Sequence, residues 1–187
     1  MNHFLDYLNG ITPLSLDEQN TISHKLAKTI YPKHHTLIPE LSTCQHLYFI
    51  ERGLARAFYI KDGREITDWF ALENSIIGPV IRNFSAKEAP HAVELLESST
   101  VVSIHFADLQ ELYDKYHAIE RLGRVIAIQT IMALQRRIDA IQFLNAKSRY
   151  EDFMSMYPSL LQRVSLGHIA SYLGMNQVTL SRVRKSK

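Results

Sequence analysis

The chain has 187 residues, 46% of them apolar, and a formal net charge of +2. That suffices for one large domain or two small ones with a buried core, and it excludes wholesale disorder. The single cysteine, Cys44, excludes an internal disulfide, a Cys-rich zinc finger and an iron–sulfur cluster held by four thiolates.

No apolar run reaches the roughly 18 residues of a membrane span. The segment Met1 to Gly10 has neither a basic n-region nor an apolar h-region, so the expected compartment is the cytoplasm, with no membrane partner. The small net charge conceals a split. Residues 144–187 hold seven basic and two acidic groups (+5), whereas residues 1–143 hold 14 basic and 17 acidic groups (−3). A basic C-terminal quarter on an acidic body suits an anionic partner met at one end; a solubilising tail is the plainer reading.

Ser15 followed by Glu18 has the spacing of a capping box, and Leu16, Ile22 and Leu26 continue it as a helix over about 15–26. From Thr29 to His105 aromatic and β-branched residues dominate, which favours strands over Leu47–Ile50, Leu54–Ile60 and Ile66–Phe70. Glu51-Arg52-Gly53 and Lys61-Asp62-Gly63-Arg64 are turn clusters, and Asp62-Gly63 is a hairpin signal. Val93–Leu96 and Thr100–His105 read as a further strand pair across Ser98-Ser99, completing a small antiparallel barrel or sandwich. Asp108–Tyr116 reads as a short helix. Ile119–Leu144 reads as a helix of about 26 residues, roughly 39 Å long.

That long helix carries a stripe at Ile131, Leu134, Ile138 and Ile141, widened by Leu122, Val125, Ile126 and Met132. Leu122, Val125, Gln129, Ile131, Met132, Leu134, Ile138 and Ile141 are the candidate contacts of a homodimer, the alternative being a helix packed wholly within one chain. Ala146–Tyr157 is amphipathic and is stopped by Pro158. A domain boundary is expected near Asn145, where the charge balance changes.

The segment Val164–Lys185 is the most informative. Ser165 can cap a helix whose apolar face is Ile169, Ala170 and Leu173. Gly174 stands where the chain must turn, and Asn176 can cap a second helix. Either Val178, or Leu180 with Val183, then faces the core. Gln177, Thr179, Ser181, Arg182, Arg184 and Lys185 remain for solvent or a partner. This is a helix-turn-helix pattern, whose second helix enters the DNA major groove.

With Lys147-Ser148-Arg149-Tyr150-Glu151, Tyr157-Pro158 and Ile169-Ala170-Ser171-Tyr172-Leu173-Gly174 in this order, the whole chain resembles the Crp/Fnr family of bacterial transcription regulators, and in particular its Bacteroidetes-type members. The resemblance implies an α+β fold: an antiparallel cyclic-nucleotide-binding-like β-roll over 1–118, a dimerisation helix over 119–145 and a helix-turn-helix domain over 146–187. It implies a DNA-binding homodimer on a near-palindromic site, with RNA polymerase as a further partner, and no enzyme activity. Gln177, Val178 and Arg182 fall where the family reads base edges. Ser165, Thr179, Ser181, Arg184 and Lys185 fall where it holds phosphates.

Three departures qualify this. Gln177-Val178 replaces the family's common Arg-Glu pair, so a different target sequence is expected, with Gln suited to adenine and Val to a thymine methyl. The sequence reaches Lys187 without the family's wing, so fewer backbone contacts and weaker DNA binding are expected. In the phosphate cassette, Pro79 stands in place of the ribose-binding Glu and Ala89 in place of the phosphate-binding Arg. A phosphate buried without its cation is costly, so cAMP or cGMP in the usual mode is not expected.

Another small effector has candidate walls in Tyr48, Phe58, Trp69, Phe70 and Phe84, with Gly78, Arg82 and His91 from the cassette; the plainer reading makes these aromatics core. The nine histidines show no ligand-spaced pair, so neither a metal nor a catalytic residue is assigned. The competing function is a ligand-binding or protein-interaction module whose helix-turn-helix no longer binds DNA.

Overall fold

The structure is a computed structural model and describes residues 2–78 and 91–185. Two helices open the chain, α1 (Asn2–Ile11) and α2 (Leu16–His24). Eight strands follow: β1 (Leu26–Tyr31), β2 (Thr36–Ile38), β3 (His46–Arg52), β4 (Ala55–Lys61), β5 (Arg64–Ala71), β6 (Ile76–Ile77), β7 (Ala92–Leu95) and β8 (Ser99–His105). Six more helices complete the described residues: α3 (Phe106–Lys115), α4 (His117–Phe143), α5 (Ala146–Met156), α6 (Leu160–Arg163), α7 (Leu166–Tyr172) and α8 (Gln177–Lys185).

The strands form two four-stranded sheets, in the orders β1-β8-β3-β6 and β2-β7-β4-β5. The Asp62-Gly63 hairpin is present, both residues at positive φ (52° and 71°), as a tight turn between twisted strands requires. The expected pairing across Ser98-Ser99 is corrected. β8 pairs with β1 and β3, while β7 pairs with β2, in the other sheet. Two apolar segments beside a turn signal are legible as strands, but the choice of partner is set by long-range register.

Contacts divide the chain into two compact units, Met1–Ala57 with Phe70–Ile128, and Phe58–Trp69 with Gln129–Lys187. This division falls inside α4 and assigns the distal half of the β4–β5 hairpin to the second unit, whereas the sequence suggests a boundary at Asn145.

In the first unit the helices pack on one face of β3 and β8. Their register sets Leu47 opposite Ile104 and Phe49 opposite Val102. Phe49 is fully buried, with the rings of Phe4 and Tyr7 at 4.7 and 5.2 Å. Leu8, Ile22, Leu109, Leu112, Ile119 and Leu122 complete this cluster. The capping box forms as the spacing requires: Ser15 Oγ accepts from Glu18 N, and Ser15 N donates to Glu18 Oε2 at 2.7 Å. α1 follows no capping signal in the sequence and its helix is not assigned there; Phe4 and Leu8, one turn apart, hold it against Phe49.

In this unit Arg56 on β4 is buried to 2% exposure. Its Nε and Nη2 donate to Glu94 Oε1 on β7 at 2.7 and 2.5 Å. The buried side chains of the second unit include Tyr150, Phe153, Leu160, Ile169, Tyr172, Leu173 and Leu180.

Candidate nucleic-acid interface

The interface is built by two short helices and the turn between them. Ser165 Oγ accepts from His168 N at 3.3 Å and starts α7. Gly174, at φ 64°, reverses the chain, and Met175 N donates to Ala170 O at 3.0 Å to close the turn. Asn176 Oδ1 then accepts from Thr179 N at 2.8 Å and starts α8. Each cap satisfies an amide that a helix start leaves without a partner. Ala170 is buried, and α8 packs against α7 and α5.

Burial settles which face of α8 is which. Leu180 is fully buried and Val183 half-buried, whereas Val178 is 60% exposed. Gln177, Ser181, Arg182, Arg184 and Lys185 are also exposed, and Thr179 is half-buried with its amide held by the cap. The sequence QVTLSRVRK has no acid, and its three cations fall in the last turn, where they also suit the helix dipole. Ser165 is exposed at the start of α7, its oxygen engaged by the cap while its hydroxyl proton can still be donated. The α8 residues among the predicted contacts therefore share one short helix, with its apolar anchor turned inward.

Sequence reasoning does not find Arg137. Its Nη1 donates to Tyr172 O at 3.0 Å and its Nη2 to Thr67 O at 3.4 Å, with the guanidinium 4.0 Å over the Tyr172 ring. Ser171 Oγ accepts from Thr67 N at 2.9 Å and donates to Glu65 O at 3.4 Å. The backbone of β5 between Glu65 and Thr67 is thus bonded to side chains of α4 and α7, within one compact unit. Burial, together with Tyr172 beside it, pushes the Tyr157 hydroxyl up to about 12. An open cleft of about 840 Å³ lies beside α8, lined among others by Lys61, Arg64, Ser171, Asn176 and Gln177.

On α4, Gln129, Ile131, Met132, Leu134, Ile138 and Ile141 are exposed, Ile131 to 65% and Met132 to 67%. Ile128 and Phe143, not assigned from sequence, extend this apolar surface. Leu122 is a correction: at 3% exposure it belongs to the core of the first unit, because it shares its helix face with Ile119. Val125 is half-buried.

Tyr48, Phe70, Gly78 and His91 lie in the first unit, and Phe58 and Trp69 in the second. Phe70 is buried, and the other five are half-buried. Arg82 and Phe84 lie outside the described residues, as do Pro79, Ala89 and Pro90. Burial, with Cys44 beside it, raises the pKa of the Tyr48 hydroxyl. An apolar cavity of about 40 Å³ in the first unit is lined by the helix-facing core, including Phe4, Leu8, Tyr113 and Ile126, and by none of the candidate walls among the described residues. Among the described residues, no helix is long and apolar enough to cross a membrane.

No family model and no curated protein matches this chain. Solved structures do. FixK2 from Bradyrhizobium japonicum is 17% identical, with 86% of this chain and 83% of that one covered at a TM-score of 0.74. The c-di-GMP responsive global regulator CLP from Xanthomonas campestris is 15% identical, with 92% and 91% covered at 0.72. A Eubacterium rectale protein described as a regulator of the crp/fnr family is 15% identical, with 97% and 87% covered at 0.75. The chain has the Crp/Fnr fold. The expected order of the Crp/Fnr elements, β-roll, long helix and helix-turn-helix, is that of β1–β8, α4 and α7–α8. At these identities the likeness concerns the backbone, so the chemistry of the Crp/Fnr-like interface rests on the side chains described above.

Proposed function

We propose that this protein is a Crp/Fnr-type transcription regulator that binds DNA as a homodimer, with α8 as the helix that enters the major groove. The observation that carries this reading is the exposed, acid-free face of α8, anchored by the fully buried Leu180. Gln177, Val178 and Arg182 are assigned to base edges. Ser165, Thr179, Ser181, Arg184 and Lys185 are assigned to the phosphate backbone.

The exposed α4 stripe supports pairing of two copies, which gives a near-palindromic site with half-sites about 34 Å apart. The β-roll braces the dimer or senses a small effector other than a cyclic nucleotide held in the usual way. RNA polymerase is the further partner, and the cytoplasm is the compartment. The reading contains no catalytic step.

Fluorescence anisotropy with labelled genomic fragments at two salt concentrations tests it. Affinity is expected to fall steeply with salt as counterions are released. Arg182→Ala is expected to cost about 1–3 kcal/mol at the selected site if it meets a base edge bidentately. No specific binding at low salt for any fragment would refute DNA recognition, and an unchanged footprint for the variant would remove Arg182 from the site.

A further inference from the structure

Gly167 occupies the second position of α7, and its backbone does not call for glycine: its φ is not among the positive ones. Glycine in a helix costs up to about 1 kcal/mol against alanine. The reason for it here is steric. A Cβ built on Gly167 would stand 2.6 Å from Gln177 Nε2, closer than real contacts allow. The next atoms are Gln177 Cδ at 3.7 Å and Ser165 Oγ at 3.8 Å, both ordinary distances. The space left by the missing side chain is thus filled by the carboxamide of the first residue of α8, which lies over the first turn of α7.

We propose that Gly167 is a specificity-determining residue: its bare Cα provides the seat that fixes the Gln177 carboxamide, and so fixes which base that carboxamide reads. The inference rests on the DNA-reading assignment of α8 and adds a residue that itself offers no side chain to DNA. Gln177 is exposed and has three side-chain torsions, so without a seat its amide would sample several directions. A carboxamide discriminates among bases by presenting its donor and acceptor together, and that requires one direction.

The test is a cycle of Gly167→Ala, Gln177→Ala and the double variant. It is read by competition between duplexes that carry each of the four bases at every position of the selected half-site. Gly167→Ala should fold normally, because alanine suits a helix and the displaced group is the end of a flexible side chain. Its melting temperature is expected to be unchanged or higher. Gln177→Ala identifies the position that Gln177 reads. At that position alone, Gly167→Ala is expected to reduce base discrimination by about tenfold. In the Gln177→Ala background it should have no further effect, as two residues acting through one contact require.

Unchanged discrimination in Gly167→Ala, with Gln177→Ala altering it, overturns this proposal and leaves DNA reading by α8 intact. A uniform loss on all duplexes with a lowered melting temperature also overturns it, since that is a structural effect. If neither Gln177→Ala nor Arg182→Ala changes binding, the assignment of α8 to DNA fails, and the role of Gly167 fails with it.

Discussion

Replacing Ile138 with aspartate is expected to convert a dimer into a single chain of 21.5 kDa by sedimentation or light scattering. Ile131, Leu134, Ile138 and Ile141 follow a 3-4-3 spacing along α4 and are about half to two-thirds exposed. A stripe of exposed apolar side chains along one helix marks an interaction site. A second copy of the same stripe is its natural cover, because residues repeating at this spacing mesh with their own kind in a two-helix seam. Burying an apolar side chain contributes about 1.5–3 kcal/mol, and in a symmetric pair each position counts twice. Aspartate at the seam instead places two carboxylates face to face away from water.

The loss should carry over to DNA. A dimer engages its second half-site at high effective concentration, so the monomer is expected to bind the full site some 10²–10⁴-fold more weakly. Because Ile138 is exposed within the single chain, the variant's circular dichroism should be unchanged. An intact dimer in Ile138→Asp would remove the α4 stripe from the interface.

The largest expected effect on stability is at Glu94. Arg56 has 2% of its side chain exposed, and two of its guanidinium nitrogens donate to one Glu94 oxygen. Glu94→Ala withdraws the carboxylate that accepts from two nitrogens of a buried guanidinium, and breaking a buried ion pair in this way costs about 3–5 kcal/mol. For a chain of this length that corresponds to a fall of roughly 10 °C in melting temperature. The double variant Arg56→Met, Glu94→Leu is expected to recover most of the loss, since apolar replacements of a buried ion pair are often neutral. A shift under 2 °C for Glu94→Ala, measured calorimetrically, would show that the pair contributes little.

What could be read from sequence was what is decided locally. Ser15 with Glu18, Ser165, Gly174 and Asn176 are caps and turns whose partners lie within three or four residues, and all form as read. The α4 stripe is legible for the same reason: its spacing is that of a helix. What was not legible depends on distant partners. β7 and β8 are recognisable as strands, but the sheet each joins is decided by register with β2, β1 and β3. α1 is announced by no capping signal in the sequence and depends on Phe49, some 45 residues on. Leu122 looks like part of the dimer stripe until the core cluster with Ile119 claims its face. Arg56 and Arg137 are not singled out by any local pattern. Each gains its role from a partner at long range: Glu94 for one, Tyr172 and Thr67 for the other.

The claim that two copies of α8 read one DNA site is tested most directly by selecting duplexes from a random library with the wild-type protein. The account predicts enrichment of a near-palindrome whose half-site centres lie about one helical turn, ~34 Å, apart, bound by two chains per duplex. Recovery of no enriched sequence, or of a single half-site bound by one chain, would contradict it.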